Sequence, residues 1–236
     1  TPLYSSAASD VYKRQHVHYK VCSTFDSSPA VGSIGKAIDC GAEVFQHKLI
    51  PVLGGMPLLG RYCLFGNLFA RMGIGSNGNI YRLDRHPSMS KHPVTPADEC
   101  DLRLHIGKQT EKQIGLIDIT QLDLPVEEWK TLVVDEEVVL VDVMYESQLI
   151  KIGEWMEQLD EKKSLFSVGG SGIEAALGAY WNENKLLNKV MEWNQPGKAE
   201  SLLVISGSCS PITAAQIEWA KVNGLSLIHI SEPTRP

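Results

Sequence analysis

The sequence lacks the features that mark several large classes of protein. Along its 236 residues there is no run of Lys or Arg, and 28 acidic residues outweigh 22 basic ones for a net charge of −6. A nucleic acid or an anionic membrane surface therefore finds little electrostatic footing. No apolar stretch approaches the roughly 18 residues that read as a spanning helix. The five cysteines (Cys22, Cys40, Cys63, Cys100, Cys209) are odd in number, scattered and without a Cys-x-x-Cys pair. That excludes a disulfide framework and a cysteine-rich zinc site, and it suits reduced thiols in a cytoplasmic protein. Neither end has a signal peptide's apolar core. No internal repeat or low-complexity tract occurs. What is present is an ordinary globular balance, 43% hydrophobic and 21% charged.

Both ends read as foreign to the rest. Asp10 to Gln15 can be written GAT GTG TAT AAG AGA CAG, and Leu225 to Ile230 can be written CTG TCT CTT ATA CAC ATC. The two strings are reverse complements, an inverted repeat of the kind that transposon-derived sequencing adapters place around an insert. Ser5–Ser9 and Ser231–Arg235 extend the match. The expected organisation is an adapter-derived tail at 1–15, an α/β domain over 16–196, the start of a second domain over 201–224, and a second tail at 225–236. Trimming removes Lys13, Arg14 and Arg235 from the cations and Asp10 and Glu232 from the anions, so the acidic balance survives.

Between the tails, strand and helix patterns alternate. HVHYKVC (16–22), LIPVLGG (49–55), IGLIDI (114–119), VVLVDV (138–143), LFSVGG (165–170) and LLVISGS (202–208) read as strands, most of them continuous apolar runs. Helical spacing marks 32–40, 125–132, 146–159, a segment running to Trp181, and 211–222. Leu149, Ile152, Trp155, Met156 and Leu159 make one apolar stripe. Thr95-Pro96-Ala97-Asp98-Glu99 reads as a capped start to a helix ending near Lys108. Residues 56–94 look irregular, with a hairpin signal at Asn77-Gly78. The alternation predicts an α/β fold, a mostly parallel sheet with helices on both faces.

In such a sheet ligands sit beyond the carboxyl ends of the strands, and four loops fall there. Lys20–Ser28 (KVCSTFDSS) joins a cation, a carboxylate and hydroxyls, a set suited to a polyhydroxylated anion. A Ser/Thr turn capping the next helix is the other reading. Arg82–Pro93 (RLDRHPSMSKHP) gathers cations with His86 and His92, as an anion site or a solvated basic loop; no carboxylate stands at metal-ligand spacing. Gly169–Gly172 (GGSG) lets backbone approach a ligand or packs as a tight turn. Ser206–Pro211 (SGSCSP) repeats that arrangement with hydroxyls and suits a phosphate. Neither glycine loop is GxGxxG or GxxxxGK[ST], which counts against a dinucleotide-dependent dehydrogenase. Cys22 alternates with buried positions and reads as core. Asp142, at a strand end, and Glu174 are further carboxylates to weigh.

KVCSTFDS (20–27), Gly60-Arg61 with Gly66-Asn67-Leu68-Phe69, HPVTP (92–96), Val141-Asp142, GGSG (169–172) and SGSCS (206–210) occur in this order. Together they resemble the four-carbon acid sugar kinase family. The resemblance implies an N-terminal acid-sugar domain, the first β-α unit of a nucleotide-binding domain, and phosphate transfer from ATP with Mg²⁺ to erythronate, threonate or an oxo-tetronate. It implies that Lys20, Ser23, Thr24, Asp26 and Ser27 line the acid-sugar pocket. Arg61, Arg85, Lys91 and His92 would meet the carboxylate or the transferring phosphate, and Gly169, Gly170, Ser171 and Gly172 would approach the ligand. Ser206, Ser208 and Ser210 would contact ATP phosphates, and Asp26 is the candidate for taking the hydroxyl proton. The family's opening strand with its DD-x-T-G turn would precede residue 16, and most of the nucleotide domain would follow residue 224. The expectation is thus an inactive internal fragment of a cytoplasmic kinase, with homo-oligomerisation left open. A non-enzymatic sugar-acid-binding module is the alternative.

Overall fold

Successive side chains of a strand point to opposite faces of its sheet, and here that period of two sorts the apolar residues into two cores. The computed structural model describes residues 16–46, 48–73, 78–159, 164–186, 197–199, 201–206 and 211–227. Five strands form the main sheet: β1 (His16–Lys20), β2 (Ile50–Leu53), β6 (Ile114–Ile117), β7 (Val138–Val141) and β8 (Leu165–Gly169). Their order is β1-β8-β2-β7-β6, and every pairing is parallel. Ile50, Val52, Val138, Leu140, Phe166 and Val168 enter one core. Leu53, Val139, Val141 and Leu165, at alternate positions, enter the other. The three central strands are buried throughout, which explains their unbroken apolar runs.

Helices cover both faces, as the alternation predicted. The first core takes α1 (Ile34–Phe45), through Ile34 and Ile38, and α2 (Leu102–Gly107), through Leu102 and Ile106. The second takes α3 (Val126–Leu132), α4 (Leu149–Gln158) and α5 (Gly172–Glu183). On α4 the expected stripe is buried at Leu149, Ile152, Trp155 and Met156. Each such side chain contributes about 1.5–3 kcal/mol on burial.

Three expectations are corrected. Residues 56–94 contain a three-stranded antiparallel sheet: β3 (Arg61–Leu64), β4 (Asn67–Arg71) and β5 (Ile80–Arg82). The β4–β5 pairing agrees with the hairpin signal. The β3–β4 hairpin was not foreseen, because its two-residue turn is Phe65-Gly66, with φ of 51° and 80°, and Phe is not a residue that favours φ > 0. The helix expected from Thr95 starts at Leu102 instead. Asp101 caps it by accepting from the Arg103 N–H at 2.9 Å, while the Glu99 carboxylate accepts from the Cys100 and Asp101 N–H groups. Thr95 is drawn into a turn by His92. Finally, residues 201–206 carry no regular structure, and Leu202, Leu203, Val204 and Ile205 are exposed. A strand needs a partner, and among the described residues this run has none.

The chain divides into two units, Thr1–Lys189 and Val190–Pro236. The second contains α6 (Pro211–Val222). Both expected tails lie outside the described residues except for 225–227. Among the described residues no helix is long and apolar enough to cross a membrane.

Candidate functional site

Where β1 and β8 end side by side, their following loops meet. The Val21 N–H donates to Gly169 O at 2.8 Å, and the Gly170 N–H donates to Leu53 O at 3.2 Å, which stitches the ends of β1, β8 and β2 together. Lys20 Nζ donates to Ser171 Oγ at 3.2 Å. Two of the four expected loops, Lys20–Ser28 and Gly169–Gly172, are thereby brought to one place.

The glycines have a protein-packing cause there. A Cβ on Gly169 would stand 2.5 Å from Leu53 O, and one on Gly172 would stand 2.1 Å from Gly55 O. Both are backbone contacts that cannot give way, so these two residues let the β8–α5 turn close onto the end of β2. Gly170 is different: a Cβ there would make an ordinary 3.6 Å contact with Ser23 Cα, so it is the backbone position that faces the first loop.

Arg61, the first residue of β3, reaches this loop from the small sheet. Its Nε donates to Ser23 Oγ at 3.2 Å, and Nη1 donates to the carbonyls of Leu59, Gly60 and Arg71 at 3.1, 3.3 and 3.2 Å. The side chain is buried and has no ion pair among the described residues. Burial lowers its hold on the proton, while Cys22 and Asp26 nearby act in the opposite sense. Asp26 Oδ1 is buried without a hydrogen-bond partner among the described residues. A buried acceptor left unmade costs about 1–3 kcal/mol, so the Asp26 carboxylate has a bonding position open to a ligand or water.

The other residues of the first loop are placed differently. Ser27 turns inward and bonds to Phe25 O, His105 and Gln109. Thr24 is buried, with Oγ1 at 3.1 Å from Cys22 Sγ. Cys22, expected in the core, is exposed. β1 ends at Lys20, and the chain has already turned so that the Phe25 N–H meets Cys22 O at 2.9 Å.

The Arg82–Pro93 loop contributes His86 rather than the residues singled out in it. His86 is buried; its Nδ1 accepts from the Ser88 and Met89 N–H groups, and its ring stands edge-on to Tyr81. Burial lowers its pKa, and the positive charge of Arg61 lowers it further. The sequence places His86 in this loop as part of an anion site or a solvated basic loop, without singling it out from its neighbours. Arg85 and Lys91 are exposed, and His92 Nδ1 accepts from the Thr95 N–H at 3.0 Å as a turn cap. Among the described residues no three His, Cys, Asp or Glu side chains converge on a point.

Asp142 is a brace. It is fully buried, and its carboxylate accepts from the Phe65 N–H, from Gly66 N at 3.0 Å and from Ile119 N at 3.0 Å. Burial raises its pKa, partly offset by those N–H groups. It holds the strained Phe65-Gly66 turn against the main sheet, and with it the hairpin that carries Arg61. Glu174 is exposed at the start of α5, 3.7 Å from His18 Nδ1. Ser206 is exposed; Ser208 and Ser210 lie outside the described residues.

Comparison with known proteins gives this arrangement a context. A family model described as the sugar-binding N-terminal domain matches residues 4–177, so its start falls inside the 1–15 segment expected to be an adapter-derived tail. A Paraburkholderia graminis protein named 3-oxo-isoapionate kinase is 44% identical over 222 residues, covering 92% of this chain and 46% of that protein. A Methylobacterium radiotolerans 3-oxo-tetronate kinase is 30% identical over 218 residues, covering 87% and 47%. A solved Haemophilus influenzae protein described as DUF1537 superposes with a TM-score of 0.65 at 24% identity, covering 93% and 49%. The chain spans about half the length of the curated relatives it matches.

Proposed function

The chain belongs to the sugar-binding N-terminal domain family, and from that premise we propose that it is the acid-sugar-binding part of an ATP-dependent kinase for a four-carbon sugar acid: erythronate, threonate or an oxo-tetronate. The relatives named 3-oxo-tetronate kinase and 3-oxo-isoapionate kinase support a 3-oxo acid as the substrate class. Residues 16–196 are read as the acid-sugar domain and 201–224 as the beginning of a nucleotide-binding domain.

One observation carries the reading: the buried guanidinium of Arg61 has no carboxylate ion pair among the described residues yet feels the charge of Asp26, whose Oδ1 has no hydrogen-bond partner among them, and Lys20 lies at the end of β1 that opens the same loop. Arg61 and Lys20 supply the donors a carboxylate needs, and Ser23 and Asp26 supply partners for hydroxyls. Asp26 accepts the proton of the attacking hydroxyl. Kinase catalysis is chiefly positioning and charge neutralisation, so rigid strand ends are a suitable base. ATP, when bound, supplies the phosphoryl group; Ser206, Ser208 and Ser210 are assigned to its phosphates. Among the described residues no cluster of three His, Cys, Asp or Glu side chains offers Mg²⁺ a site.

Calorimetric titration of the 236-residue chain with erythronate, threonate and 3-oxo-tetronate tests the reading. Saturable binding lost in Asp26→Asn is the expected result; binding of none of the three acids refutes it. The chain alone is expected not to turn over ATP. Robust turnover would contradict its assignment as an incomplete kinase. A full-length protein that binds the acids but carries no nucleotide domain would favour the non-enzymatic module.

A further inference from the structure

His105 and Gln109 lie outside every motif of the sequence, yet they grip the loop that carries Asp26. Phe25 adopts a left-handed conformation, with φ of 54°, although it is fully buried. For a residue other than glycine this costs on the order of 1–3 kcal/mol, so something must hold it.

The hydrogen bonds show what does. The Phe25 carbonyl accepts from Ser27 Oγ at 3.0 Å and from His105 Nε2 at 3.1 Å. Ser27 has one proton, directed at that carbonyl, so its oxygen accepts from Gln109 Nε2 at 3.0 Å and shares the single His105 Nε2 proton, at 2.8 Å, with the Phe25 carbonyl. This network assigns the ring proton of His105 to Nε2. Gln109 is saturated. Its Nε2 donates to Ser27 Oγ and to His105 O at 3.2 Å, and its Oε1 accepts from the Ile34 and Gly35 N–H groups at 2.8 and 3.3 Å. One amide thus ties the Asp26 loop, the α2 end and the first turn of α1 together.

The clasp holds residues 25 and 27 and leaves the carboxylate between them out of the network. Its other end is anchored to the small sheet. The Leu102 N–H, at the start of α2, donates to Gly66 O at 2.9 Å, in the hairpin turn whose first strand begins at Arg61. α2 therefore spans from the hairpin that supplies the cation to the loop that supplies the carboxylate.

We infer that His105 and Gln109 are positioning residues, whose clasp on Phe25 and Ser27 sets the Asp26 carboxylate against Arg61 for a sugar acid. This rests on the reading of the Lys20–Ser28 loop as the acid-sugar pocket. Neither residue touches the ligand; each acts through the backbone turn.

The test uses the whole 236-residue chain as wild type, His105→Ala, His105→Gln and Ser27→Ala. Two quantities are read on the folded proteins: erythronate, threonate and 3-oxo-tetronate affinity by calorimetry, and the rate at which iodoacetamide alkylates Cys22, followed by peptide mass spectrometry. Cys22 is exposed on the same loop. Loss of the clasp in His105→Ala or Ser27→Ala is expected to weaken acid binding about tenfold and to raise the Cys22 rate severalfold. A Gln amide can donate from nearly the position of Nε2, so His105→Gln is expected to return both to within about twofold of wild type. Ser27→Ala leaves α2 untouched and answers the question if His105→Ala fails to fold. Variants that melt earlier but keep wild-type affinity and Cys22 rate would show a structural role only and overturn the inference. If wild type binds none of the three acids, the pocket reading fails. The Cys22 rates still decide the clasp: a rate raised and rescued by Gln sustains it, and an unchanged rate overturns it.

Discussion

Replacing Asp142 by alanine puts the largest demand on the structure. The carboxylate serves three backbone donors, of Phe65, Gly66 and Ile119, and the residue is fully buried. The Gly66 bond is buried, while the other two are half-buried. A buried donor left unmade costs about 1–3 kcal/mol, and one that water can reach costs roughly 0.5–1 kcal/mol. The left-handed Phe65 also loses its restraint. A total of about 2–5 kcal/mol follows, a large share of the stability of a small domain. Asp142→Asn keeps one carbonyl oxygen and removes a charge that burial disfavours, so it is expected to cost about 1–2 kcal/mol. Urea denaturation followed by circular dichroism measures both. A loss below about 1 kcal/mol for the alanine variant would show that the hairpin turn does not depend on Asp142, and the account of how Arg61 is positioned would fall with it.

Gly172→Ala places a Cβ 2.1 Å from Gly55 O and should cost about 1–3 kcal/mol through strain; a variant as stable as wild type in the same urea assay would contradict the packing role of the GGSG turn. Arg61→Lys keeps the charge but loses the fork that reaches Ser23 and three carbonyls. Calorimetry should show acid binding weakened by about tenfold or more, and unchanged affinity would remove Arg61 from the site. His18, His86 and His105 all have pKa values lowered, chiefly by burial. The unfolded chain then binds more protons below about pH 6.5, so stability is full above that value and falls as pH drops through it. Equal urea midpoints at pH 7.5 and pH 5 would refute this.

Apolar periodicity alone determined the layered core. Runs such as VVLV and LFSVG belong in a parallel sheet covered on both faces, and a period of two divides them between two cores whatever the loops do. Composition and the clustered Lys20, Ser23 and Asp26 pointed to an anion-binding strand end. The chain's neighbours in space, by contrast, decided which of those residues face one another. The Phe65-Gly66 turn was invisible because its conformation is held from 77 positions away by Asp142, not by a turn-forming residue. His105 lies on α2 and Gln109 two residues beyond its end, a spacing that carries no chemical signature until Ser27 and the α1 terminus are brought against it. The glycines of GGSG read equally as a ligand cradle or a packing turn; only the 2.1 Å approach to Gly55 O separates the two. Patterning is a one-dimensional consequence of burial and survives in the sequence, whereas a site is a set of distances, and those exist only after the sheet has closed.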